Sequence, residues 1–103
     1  MRGLRNKISA LLMSVFMLTG CATVGHDFPT QHVDQIRIGE TTRSDIQEMF
    51  GEPWRTGIED GKRTWTYAKY RWSAFSPAKT TDLVVRFHDD GKVASYVYNT
   101  TEQ

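Results

Sequence analysis

One thiol, three imidazoles and a few serines are the first side chains of this 103-residue chain to weigh as nucleophiles or metal ligands. The single cysteine, Cys21, directly follows Leu18-Thr19-Gly20. It has no internal partner for a disulfide, and a free thiol in an oxidising compartment is a liability. Its useful chemistry is to accept a covalent group. His26, His32 and His88 show no His-x-x-x-His spacing, and no second cysteine completes a metal-ligand pair. Ser73, Ser76 and Ser95 sit in no nucleophile elbow, and Gly57 and Gly61 build no phosphate loop. His88-Asp89-Asp90 offers acid–base groups, yet it runs into Gly91 and reads better as a polar turn. The expectation is a non-enzymatic protein with no catalytic residues, no metal site and no cofactor beyond whatever Cys21 carries.

The residues before the thiol say what that group is. Arg2, Arg5 and Lys7 form a basic start, Ile8 to Leu18 is apolar except for Ser9 and Ser14, and small residues then lead into the cysteine. This order is that of a secretory signal, and the apolar run falls short of the roughly 20 residues that span a bilayer. Leu-Thr-Gly-Cys resembles the lipobox of bacterial lipoproteins. The resemblance implies that residues 1–20 are a signal peptide and that the Cys21 thiol takes diacylglycerol, with further acylation such as palmitate. Stable anchoring needs more than one chain, which this modification supplies. Ala22 stands where an aspartate would signal inner-membrane retention, so by analogy with that sorting rule the expected location is the outer membrane, lipid-anchored and facing the periplasm.

The remaining 83 residues suffice for one domain with a modest core. Without Arg2, Arg5 and Lys7 the net charge moves from +1 to −2, and no basic stripe appears. Nucleic acid is an unsuitable partner for such a surface.

Elements must then position what the domain presents. Residues 21–30 lack hydrophobic periodicity and include Gly25 and Pro29, which reads as a lipidated flexible tether before a domain over residues 31–103. Val33 and Ile36 suggest a short helix over Gln31 to Arg37, stopped at Gly39. Thr42 and Asp45 match a capping box, Ile46, Met49 and Phe50 follow at helical spacing, and Gly51 with Pro53 closes that second helix. Beyond it the period becomes two. Asp60-Gly61 reads as a turn, with strands predicted at Arg63 to Trp72, Asp82 to Phe87 and Val93 to Tyr98. Ser73 to Thr81, with Pro77, reads as a connecting loop, and Asp89-Asp90-Gly91 as a tight turn. The expected fold class is α+β, with two short helices on one face of a three-stranded antiparallel sheet.

Alternation divides the sheet. Trp65 and Tyr67, Leu83, Val85 and Phe87, and Val93, Ser95 and Val97 are expected beneath the helices. Each large side chain buried there contributes about 1.5–3 kcal/mol. The other face is expected to carry Tyr70, Trp72, Val84, Arg86, Ala94, Tyr96 and Tyr98. Tyr, Trp and Arg are enriched at interaction hot spots, so this is the candidate partner-binding face. Two other readings stay open: β-propensity alone placed the aromatics there, or the loop around Phe75 folds over them.

In order along the chain, Ile38-Gly39-Glu40-Thr41-Thr42, Phe50-Gly51-Glu52-Pro53, Trp65-Thr66-Tyr67, Leu83-Val84-Val85-Arg86-Phe87 and Asp90-Gly91-Lys92-Val93 resemble the SmpA/OmlA family of BamE-like small lipoproteins. The resemblance implies an α-α-β-β-β domain in which Gly39, Thr42, Gly51, Pro53, Trp65, Tyr67 and Gly91 are structural. It also implies an envelope protein partner, with a β-barrel assembly complex as the candidate. A stand-alone lipoprotein binding a soluble target or lipid headgroups is the alternative.

Overall fold

A computed structural model describes residues 21–101; the expected signal segment, residues 1–20, lies outside them. The described residues form an α+β fold, with five antiparallel strands among them rather than three. These are β1 (Cys21–Gly25), β2 (Arg55–Glu59), β3 (Lys62–Ser73), β4 (Ser76–Phe87) and β5 (Val93–Thr100). A 3₁₀ helix (Thr30–Gln35) and one α-helix, α1 (Arg43–Phe50), lie between β1 and β2.

β3 is the spine. One edge pairs with β4 along nearly its whole length, and β4 pairs in turn with β5. Its other edge is shared: β1 pairs with Lys69–Ser73 and β2 with Lys62–Thr66. Backbone bonds from His26 and Trp54 to the Ala68 and Thr66 carbonyls, at 3.0 and 2.9 Å, carry the ladder towards the break. Both helices are thus an excursion from one interrupted edge strand. Gly25 permits the departure, because it adopts φ +86° and a Cβ there would lie 2.0 Å from the Ala68 carbonyl oxygen.

Three expectations change. The flexible tether is replaced by β1 over Cys21–Gly25. Its pairing satisfies backbone groups and needs no apolar pattern, so composition did not reveal it. The loop over Ser73–Thr81 is instead the upper part of β4, because Ser73 pairs with Ser76 across a two-residue turn. The ladder is irregular there, between Arg71 and Ser73, and this is where proline, with no N–H to donate, is tolerated. The first helix is a single 3₁₀ segment that ends at Gln35, so Gly39 does not cap it. Gly39 lies in the following turn with φ +81° and donates to the Val93 carbonyl at 2.8 Å.

The other local readings hold. Thr42 accepts from the Asp45 amide and Asp45 from the Thr42 amide, so both halves of the capping box form. Gly51 ends α1 with φ +82°. Asp60 and Gly61, both at positive φ, make the turn between β2 and β3. Gly91, also at positive φ, turns the chain into β5, and its carbonyl accepts from the Arg43 amide at 2.9 Å.

The core lies between α1 and one face of the sheet. Ile36, Ile46 and Phe50 meet Tyr67, Leu83, Val85, Phe87 and Val93, flanked by Phe28, Val33, Met49, Trp65, Tyr96 and Tyr98. Trp65 packs edge-on against Phe87, with ring centroids 5.1 Å apart.

Candidate functional site

The face of the sheet turned away from α1 is built by β-register alone. Thr64, Arg86 and Ser95 align across three strands, as do Thr66, Val84 and Val97. Tyr70 aligns with Val24 on one side and Thr80 on the other, and Trp72 with Ala22. Tyr70, Trp72, Val84 and Arg86 therefore stand on the expected outer face.

Tyr96 and Tyr98 do not. They align with Val85 and Leu83 and pack at the margin of the core. The cause is a bulge: Arg86 pairs with Ser95 but Phe87 with Val93, so Ala94 is an extra residue on β5. One inserted residue reverses the parity of everything after it. Ser95 and Val97, expected inside, consequently face out, and Val97 is 57% exposed.

An aromatic run occupies the upper part of this face. Trp54 and Tyr70 meet edge to face at 6.5 Å, and Tyr70 stacks on Trp72 at 6.3 Å with ring planes 22° apart. The guanidinium of Arg55 lies 4.6 Å from the centre of the Trp54 ring. Trp54 and Arg55 were not among the residues singled out from sequence. The signal was present, since a two-residue Asp60-Gly61 turn requires a strand on both sides, and Arg55–Glu59 is the one that precedes it.

Lower on the face, Arg86 reaches Asp60 at 3.4 Å and the Glu59 carbonyl at 3.5 Å, while its Nε is buried without a partner. Phe75 is 99% exposed, so the turn that bears it does not fold back over the aromatics. Among the described residues no three His, Cys, Asp or Glu side chains converge to hold a metal ion. The outer face can bind through area, stacking and cationic contacts; it presents no assembled nucleophile.

On the other side of the sheet two of the expected structural residues meet. Tyr67 donates from its phenol to the Gly51 carbonyl at 2.8 Å, joining the end of α1 to the middle of the sheet. Burial first, and the carboxylate of Glu52 second, hold that phenol protonated well beyond its ordinary range.

A short capped helix on one face of an antiparallel sheet, with an aromatic run on the other, defines a small α+β domain. The model of the outer membrane protein assembly factor BamE domain matches residues 27–97. The chain belongs to that family, as the resemblance of its motifs implied. No curated protein matches the chain.

Proposed function

We propose that this protein is a non-enzymatic accessory in outer-membrane protein assembly, held at the membrane through lipid on Cys21 and docking a protein of the β-barrel assembly complex with its outer face. The family match supports the accessory role and the outer-membrane setting. The observation that carries the docking surface is the run from Val84 and Val97 up to Trp54 and Tyr70, in which Val97 and, at the upper border, Trp72 are exposed and the others half-buried, with Arg55 and Arg86 supplying charge. Exposed aromatic patches on small domains mark such contacts, and aromatic and arginine anchors carry their energy.

Photo-crosslinking in cells tests this. A photoreactive amino acid at Val97 probes the outer face, and one at Tyr96, which lies at the core margin, serves as the internal control. The expected result is a dominant adduct from position 97, much weaker from 96, containing a β-barrel assembly component. Adducts with an unrelated envelope protein, or with lipid alone, would instead make the domain a stand-alone binding module.

A further inference from the structure

The end of the sheet away from α1 joins Trp72, at the border of the docking face, to groups that this face does not use. Trp72 is 45% exposed beside the turn, and Phe75, at the turn itself, has almost no protein contact. Arg71 and Lys79 are paired directly across β3 and β4 and face the side opposite Trp72. Like charges placed opposite one another destabilise a ladder, and among the described residues neither cation has an ion-pair partner. Lys69, one step further in, is held by Asp27 at 2.6 Å. Arg71 and Lys79 therefore form a cationic pair open to an external anion, beside a cleft of about 200 Å³ that Cys21, Ser73, Ser76 and Pro77 also line. Cys21 pairs with Ser73, so the thiol sits at the same end as the cations and the exposed rings.

These three features suit one surface. Tryptophan is favoured at the boundary between water and lipid, cations near a leaflet are attracted to anionic headgroups, and an acylated thiol must enter the same leaflet. We infer that the turn of the β3–β4 hairpin is a membrane-seated tip: Phe75 and Trp72 enter the interfacial layer of an anionic phospholipid leaflet, and Arg71 and Lys79 meet its phosphates. This rests on the reading of Cys21 as the lipid attachment point. Because β1 is paired rather than loose, the anchor and the tip fix one orientation. β3 rises about 3.3 Å per residue, so its 12 residues hold the core end roughly 40 Å above the tip.

The test uses the full chain, expressed in bacteria, purified in its processed form and reconstituted into vesicles of phosphatidylethanolamine and cardiolipin. With Cys21 consumed by lipid, Ala74→Cys supplies the only free thiol for a nitroxide label, and Asp89→Cys places the label at the far end instead. The expected result is a label at 74 relaxed by oxygen and shielded from a water-soluble nickel chelate, with the reverse at 89. Adding R71E and K79E to the first variant should expose position 74 to the chelate, and adding them to the second should leave 89 unchanged. Intact mass distinguishes the two ways of failing. Protein without lipid on Cys21 overturns the anchor and the tip together, whereas lipidated protein with a chelate-accessible label at 74 overturns the tip alone. An immersed label at 74 that ignores the charge reversal overturns the role of Arg71 and Lys79.

Discussion

Tyr67 shows how one atom can hold two layers together. Its ring fills the core at 2% exposure while its hydroxyl satisfies the carbonyl at which α1 stops. Removing the hydroxyl in Tyr67→Phe leaves the Gly51 carbonyl without this donor and is expected to cost about 1 kcal/mol, readable in urea unfolding at neutral pH. The pH dependence has a definite sign. Burial and Glu52 raise the folded-state pKa above the unfolded value near 10. The stabilisation is therefore complete below about pH 10 and is lost as the pH climbs from there toward the folded pKa, because only the unfolded chain releases the proton. The wild type should lose stability above that pH more steeply than Tyr67→Phe, and parallel curves would show that Tyr67 is not the titrating group. Tyr67 was legible as a core residue from alternation with Trp65. Alternation alone places Tyr96 and Tyr98 on the opposite face from the one they occupy, because a period of two cannot register the extra residue at Ala94.

Elements were legible in proportion to how far side chains, rather than backbone, dictate them. α1 carries its own instructions, with Thr42 and Asp45 at its start, Gly51 at its end and Ile46 with Phe50 buried between. Thr42→Ala should therefore destabilise the domain by about 1 kcal/mol through loss of its half of the capping box, measured as a lower denaturation midpoint with an unchanged slope. The core stretches of β3, β4 and β5 alternate because the helices bury one side of them. β1, β2 and the upper part of β4 do not, since nothing covers either of their faces: every residue of β2 is exposed, as is every residue from Ser76 to Lys79. Such segments are strands by pairing alone, and no hydrophobic pattern announces them. The missing strands account for the difference between the three-stranded sheet expected and the five-stranded sheet observed.

At the scale of the whole molecule the sheet separates the side that carries stability from the side proposed for recognition. One side is sealed by α1, while the other presents Trp54, Tyr70, Trp72, Val84 and Val97 in varying degrees of exposure. Val97→Asp should shift folding stability by no more than about 0.5 kcal/mol, as exposed substitutions do, yet reduce recovery of the protein partner in mild-detergent co-purification. A large stability loss would show that this side is covered. The interrupted edge strand has a mechanical consequence as well. Cys21 is the outermost residue of β1, and ladder hydrogen bonds run perpendicular to the strand. Tension drawn through the thiol along the strand axis, away from the core, loads the β1–β3 ladder in shear, so its bonds share the force instead of opening one after another. A pull applied sideways at the same atom would peel them in sequence from Cys21 to Gly25. With the lipid proposed on Cys21, such an attachment would be strongest against a force that lifts the domain straight off the membrane, and weakest against one that tilts it.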